Sequence, residues 1–600
     1  MMALRPFLRV FSACLLSASA LVTMNSAQAA DMNKTLRVLF PNSEGTFDPI
    51  LASEANTQSV IENIFDPLLR YNYLARPARL EGNTAIDMPT VSADGLTYTF
   101  KIKPGIYFSD DPIFKGQKRE LTAADYVYSF KRLYDPVKKS PWAFVFDDTL
   151  LGDEAFKNSK TGKFDYSIEI AGLQALDRYT LQLKLKQPNI NFPYLLAMPS
   201  TSAVAREVIE ANSDSGAHPI GTGPYLLKEW QRSNRILLAA NPNYRKHSYT
   251  FKAGETLLDG KIAEQLKDKQ LPLIGQIEIK IVEEHQTRVL GFFGKQFDLI
   301  EEVPQQLTHM VVSSGKLRPE LAKQGIALTL FPRMQVDYMW MNMQDPVVGG
   351  YTPEKIALRR AIAMSYNRDE DIRVHHQSLA LPAVGVIPPS VAGYDAKMPD
   401  YVRHDVKMAR ALLDKYGYTD RDGDGYREMP DGKPLQLVMH SRANALGRVY
   451  DQRWYKSMES IGVRLTIKSD KYTEIIKASS LGQVQMFEFG WVADFPDASN
   501  FFQLLHNKSI GASNHSRFDL PQFNQLFEQS MKLQDSAERT ELYRKMNQLI
   551  VGYAPWVLRV FPVTVDVRHQ WVKNYLRHPV DNTAWRYLDI DSAARDAARK

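Results

Sequence analysis

Strand-type and helix-type hydrophobic patterns alternate along this chain from one end to the other, and that alternation limits the folds open to it. Tyr98, Phe100 and Ile102 alternate with Thr97, Thr99, Lys101 and Lys103, which gives a strand with one buried face. Leu181, Leu183 and Leu185 repeat the pattern, as do Ile277, Ile279 and Ile281, and then Val463, Leu465 and Ile467. Helices lie between them. Thr122 and Asp125 form a capping-box pattern ahead of Ala123, Val127, Phe130 and Tyr134, with Pro136 as the stop. Thr352 and Pro353 open a second helix. Asp405 caps a third, which turns Val406, Ala409, Leu412, Leu413 and Tyr416 inward and ends at Gly417. Asp535 and Glu538 begin a fourth, carrying Leu542, Met546 and Leu549. The two patterns never segregate into halves, so the class is α/β or α+β. At 600 residues, 44% of them hydrophobic, the chain is too long for one ordinary domain, and several lobes are expected.

The first residues read as an address. Arg5 and Arg9 precede an apolar run from Val10 to Val22, and Ala27 and Ala29 are the small pair of a signal-peptidase site, so cleavage is expected after Ala29. The run is too short to cross about 30 Å of hydrocarbon. Beyond Ala29 the 74 basic residues fall to 72 against 68 acidic ones, a balance of +4, which is no footprint for nucleic acid. The sole cysteine, Cys14, lies in the same stretch, so disulfides, thiolate catalysis and cysteine metal sites are excluded from the remainder. An exported, soluble protein of the Gram-negative periplasm is expected.

Catalytic motifs are missing. None of the twelve histidines falls in a His-Glu-x-x-His pattern, and His375 and His376 are adjacent, so they point different ways. Gly221-Thr222-Gly223 starts like a dinucleotide loop, but Leu226 stands where the third glycine should be and Pro224 interrupts the helix start. Phosphate-loop and nucleophile-elbow sequences do not occur. Asp420, Asp422, Asp424 and Gly425 imitate a calcium loop with Asp431 at its twelfth place, where a glutamate normally stands. Leu435, Leu437 and Met439 then read as a strand, and a hairpin with Asp-Gly turns is preferred over a calcium site. No cofactor or metal is expected.

Several segments, in order, resemble the family 5 extracellular solute-binding proteins of ABC importers, the group that includes oligopeptide- and dipeptide-binding proteins. They are Phe47-Asp48-Pro49, Asp94 to Phe100, Leu121 to Phe130 with Asp135-Pro136, Pro219 to Tyr225, Asn241 to Tyr244, Leu358 to Arg368, Gly490-Trp491-Val492-Ala493-Asp494, and Tyr553 to Trp556. The resemblance implies a type II periplasmic-binding fold, with two lobes joined by hinge strands and an extra domain inserted in the first. By motif position the first lobe takes residues 30–75, 216–333 and 560–600, the extra domain 76–215 and the second lobe 334–559. Hinge strands are expected near Asp337 to Asn342 and Trp556 to Phe561.

The resemblance also implies a site. The segment matching Gly490, Trp491, Val492 and Asp494 faces the cleft in oligopeptide binders, where backbone groups pair with the peptide and the aspartate meets its amino group. Trp491 either stacks on the ligand or fills the hinge core. Ser53 to Ala55 lie opposite, in a first-lobe loop. Beyond Asp494 the chain departs, reading Phe495-Pro496-Asp497-Ala498 where many oligopeptide binders have tyrosine and then Asn-Glu-Pro. The function implied is capture of a ligand, an oligopeptide by preference, by a monomer without enzymatic activity, for delivery to an inner-membrane permease. Two other classes compete with it: an exported hydrolase of peptides or glycans that lacks a recognisable motif, and a calcium-stabilised adhesin or scaffold.

Overall fold

The structure is a computed structural model and describes residues 30–157, 164–249, 259–400, 403–580 and 583–599. The apolar N-terminal stretch and Cys14 lie outside these residues.

The alternating segments form or border strands of three main sheets. Thr97–Lys101 and Thr180–Lys184 pair antiparallel in a four-stranded sheet completed by Thr90–Val91 and Leu173–Asp177. Tyr98, Phe100, Leu181 and Leu183 are at most 4% exposed, and the helix Ala123–Tyr134 packs on this sheet. Its N-terminus is fixed as the sequence suggests: the Asp125 carboxylate accepts the Thr122 N–H at 2.7 Å. A second sheet sets Asp31–Phe40 parallel to Ile274–Ile281, followed by Arg235–Ala240 and Tyr225–Gln231 antiparallel. The third places Gln436–Arg442 parallel to both Arg464–Asp470 and Met486–Val492. Met486–Val492 then pairs antiparallel with Gln335–Met341.

One long strand joins the lobes. Trp556–His569 pairs first with Gln335–Met341 of the third sheet and then with Ile326–Pro332, both antiparallel. The passage falls at Arg333 and Met334, where the Arg333 N–H donates to the Pro562 carbonyl at 2.8 Å and the Ala493 N–H donates to the Met334 carbonyl at 2.8 Å. Two adjacent strands crossing together leave a bend about their shared ladder as the easiest relative motion.

Several motif residues turn out to be fasteners. Asp48 and Arg132, both fully buried, form a bidentate pair at 2.5 and 3.1 Å, which ties the Phe47-Asp48-Pro49 turn to the helix Ala123–Tyr134. Removing one partner of such a pair costs about 3 to 5 kcal/mol. Arg359 donates to the carbonyls of Val348, Gly350 and Tyr553, so the helix Pro353–Ser365, which carries most of the Leu358 to Arg368 motif, holds the Tyr553-Ala554-Pro555-Trp556 corner. Gly221 and Gly223 are required by close approach, because a Cβ would come within 2.0 Å of the Ile64 carbonyl oxygen at the first and 2.6 Å of the Ile64 carbonyl carbon at the second.

One local expectation changes, while the acidic loop makes its turns on positive-φ glycines as expected. The helix Ala537–Tyr553 is capped by Ser536, whose hydroxyl accepts the Arg539 N–H at 3.2 Å, and not by Asp535. A serine hydroxyl one residue nearer reaches the first-turn amide that Asp535 cannot. In the acidic loop, Asp420 accepts the N–H groups of Gly423 and Gly425, both glycines having positive φ, while Asp424 pairs with Arg464. The carboxylates that come together there are Asp420, Asp422 and Glu428.

Candidate ligand cleft

The crossing strands leave a cavity of about 500 Å³ between the lobes, within the usual range for a small-molecule site. Ser53 and Ala55 line it from the start of the helix Ala55–Ile64, and Val492 and Asp494 line it from the end of the strand Met486–Val492. Four of the six residues proposed from the sequence therefore meet at one cavity.

Asp494 owes its position to Asn500. The buried Asn500 side chain donates to the Asp494 carboxylate at 2.8 Å, and its oxygen accepts the Asp494 N–H at 3.2 Å and the Trp491 indole N–H at 2.8 Å. Protein around the cleft displaces water from Asp494, which raises its carboxyl pKa above the usual value, with only the Asn500 hydrogen bond acting against it. Among the described residues no arginine, lysine or histidine pairs with Asp494. Such a carboxylate is ready for a ligand cation.

Trp491 and Gly490 stand apart from the cavity wall. Trp491 packs against the apolar cluster that contains Phe487, Phe501 and Phe502, and its indole serves the loop through Asn500. Gly490 lies opposite Asp337 in the ladder, where a Cβ would meet the Asp337 carboxylate at 2.5 Å. It lines a second, smaller cavity with Asp337, Glu488 and Arg559. Arg559, 2% exposed, bridges Glu488 at 2.9 Å and Asp371 at 3.0 Å and so anchors the long strand to its lobe.

Phe495 completes a row of rings across the cleft. Its ring lies parallel to Tyr194 at 5.6 Å, and Tyr194 lies nearly parallel to Tyr71 at 6.3 Å. The neighbouring Asp497 is held by Arg539 at 2.7 and 3.0 Å and by the Tyr543 hydroxyl at 3.2 Å, so the segment that departs from Asn-Glu-Pro is anchored through its aspartate.

Other wall residues carried no signal in the sequence: Arg70, Tyr194, Arg333, Arg577 and Arg586 are single residues without motif spacing. Arg577 is spoken for, donating to Glu302 at 2.7 Å and lying 3.5 Å from Asp566.

A hinged pair of lobes, with a cavity between them and an uncompensated carboxylate in its wall, defines a ligand-binding protein. The family model of the bacterial extracellular solute-binding proteins, family 5, matches residues 79–513, and the chain belongs to that family. It is 27% identical over 596 residues to di/tripeptide-binding protein 4 of Pseudomonas aeruginosa (strain UCBPP-PA14), covering 96% of this chain and 98% of that one. Di/tripeptide-binding protein 2 of the same strain is 24% identical over 588 residues, covering 94% and 97%. The solved structure of HbpA2 from Haemophilus parasuis matches with a TM-score of 0.75 at 18% identity, covering 93% of this chain and all of that one. That likeness, at such identity, concerns the fold, and it agrees with the two-lobed type II architecture.

Proposed function

We propose that this chain captures a short peptide between its lobes and delivers it to an inner-membrane ABC permease, without chemistry of its own. The observation that carries the reading is the Asp494 carboxylate, which lines the cleft with Val492, has no cationic partner among the described residues, and shares the cavity with Ser53 and Ala55. An ammonium group is its natural complement, and backbone groups near Val492 and Ala55 would pair with a peptide main chain whatever its side chains. The names of the two Pseudomonas relatives support peptide as the ligand class. The family is extracellular, and among the described residues no helix is long and apolar enough to cross a membrane, which accords with a periplasmic location after cleavage at Ala29. The reading includes a monomer with lobe boundaries at 75/76, 215/216, 333/334 and 559/560.

Native mass spectrometry of protein purified from its own periplasm, followed by titration of the co-purified compound and of tripeptides, tests this. Stoichiometric peptide binding with the peptide returned intact is expected. Turnover of the peptide, or failure of every peptide to bind, would overturn it.

A further inference from the structure

Tyr194 lines the ligand cavity, and it also lines another cavity of about 720 Å³, larger than the first, so its ring stands between the two. The larger space is walled by residues 75–80, Asn191, Pro193 and Tyr194 on one side and by Ala392, Asp497 and Arg539 on the other. Its charges are matched within the protein. Asp497 and Asp535 both lie against Arg539, at 2.7 and 3.9 Å, and Arg76 donates to the carbonyls of Tyr73, Ala75 and Arg577. Pro77, Ala78, Leu80, Met88, Ile190 and Pro193 make much of the remaining wall apolar. The space therefore offers room for an apolar group, and the open carboxylate lies in the other cavity, at Asp494.

The partition is pinned from both sides. Asn191 directly precedes the short helix Phe192–Leu195 that carries Tyr194, and its amide donates to the Ser499 hydroxyl at 3.0 Å. The Ser499 N–H donates in turn to Asp497 at 2.9 Å, two residues beyond Phe495. Sliding the Tyr194 and Phe495 rings apart, from 5.6 Å and planes 7° apart, therefore strains buried hydrogen bonds on both flanks. Asp494 immediately precedes Phe495 and lines the ligand cavity, so a ligand cation paired with it finishes against this pair of rings.

We propose that Tyr194, stacked on Phe495, is a specificity-determining stop: it refuses a ligand that carries a substituent on the far side of its ammonium group, and so holds this chain to primary amines while space for a bulkier end lies behind the ring. The inference rests on the peptide reading above and adds the residue that sets where the amino end must finish. Selection by a clash of this kind leaves the accepted ligand's own contacts intact.

The probes are trialanine and N-benzyl-trialanine, whose secondary ammonium keeps the charge that Asp494 takes. Both are titrated calorimetrically into wild type, Tyr194→Phe and Tyr194→Ala, with a thermal melt of each protein to verify folding. Wild type should bind trialanine about ten- to a hundredfold more tightly than the benzyl derivative, the range of an overpacked contact. Tyr194→Phe keeps the ring and should keep that ratio. Tyr194→Ala joins the two cavities and should bring the ratio close to unity. The ratio decides the matter, because a weakened stack lowers the closed fraction and reduces both apparent affinities by the same factor. A Tyr194→Ala protein that loses affinity for both ligands in equal proportion overturns the stop and reduces the ring to packing, as does equal binding of the two ligands to wild type; in either case the peptide reading stands. Failure of trialanine to bind folded wild type sinks the peptide reading and the stop with it.

Discussion

Asn500 holds Asp494 at 2.8 Å through its amide while its oxygen takes the indole N–H of Trp491, so one buried side chain sets the only carboxylate of the Gly490 to Asp494 segment and couples it to the apolar core beneath. The arrangement divides labour within the motif: Trp491 and Asn500 support, and Asp494 is left with an open charge.

Asp494→Asn keeps the size and removes the charge. The substitution should cost on the order of 2 to 5 kcal/mol in affinity for free-amine peptides, because a ligand ammonium enclosed in the cleft would lose its counter-charge. N-acetylated peptides should bind wild type weakly and lose far less on the same change. Calorimetric titration of both ligand types decides it; equal losses would mean that Asp494 only supports the loop.

Asn500→Ala acts one step back. It leaves the Trp491 indole N–H and the Asp494 backbone N–H without their acceptor, which should cost about 1 to 3 kcal/mol of stability. Denaturant unfolding reads that loss, and Trp491 fluorescence should shift as its indole is freed. Wild-type stability in the variant would show that water replaces the amide at no cost.

The sequence carried the scaffold better than the site. Alternation at Thr97 to Lys103 or Leu181 to Leu185 reports a one-sided burial that every residue of a strand shares, so it survives as a pattern. Asp94-Gly95 was readable for a similar reason, since the turn is local: Gly95 has φ +71° and Asp94 accepts the Leu96 N–H at 3.0 Å. Asp494 was reachable only through the order of motifs. Arg70 and Arg586, 516 positions apart by their numbers, meet at one wall because the C-terminal segment returns to the first lobe, and pairings at that separation leave no spacing in the chain. The Ser536 cap was missed because Asp535 and Ser536 are both good capping residues, and only the entry angle of the chain chooses between them.

Phe495→Ala should favour the open state. The Phe495 ring stacks on Tyr194 across the cleft at 5.6 Å with planes 7° apart, and the Asn191 amide meets the Ser499 hydroxyl at 3.0 Å nearby. Removing one ring of such a pair costs about 0.5 to 1.5 kcal/mol beyond lost area, equivalent to a roughly two- to tenfold shift in the closing equilibrium. Small-angle scattering of the unliganded variant should give a larger radius than wild type, with ligand affinity reduced in proportion. Unchanged radius and affinity would reduce the row of rings to packing.

The last prediction concerns acid. His569, 1% exposed, is sandwiched between Phe292 at 4.3 Å and Trp571 at 4.1 Å, and one ring nitrogen meets the Phe292 carbonyl at 3.0 Å. Burial, with Lys295 and Arg599 nearby, pushes its pKa from 6.5 down to about 4. A histidine with a depressed folded pKa contributes its full stability above about pH 6.5, where neither state holds the proton. As pH falls toward 4 the unfolded chain takes up a proton that the folded protein refuses, and stability drops. The total is about 3 kcal/mol, since each pKa unit is worth about 1.4 kcal/mol. His247, His376 and His578 are shifted in the same direction, whereas burial raises the carboxyls of Asp298 and Asp566, which act oppositely, so the whole-protein profile mixes both. His569→Gln isolates the one group: its amide can still donate to Phe292, and it does not titrate. Unfolding free energies of variant and wild type, measured from pH 7 to pH 4.5, should converge and then cross as the acid limb is reached. A gap that stays constant over that interval would show that His569 is not a source of the acid sensitivity.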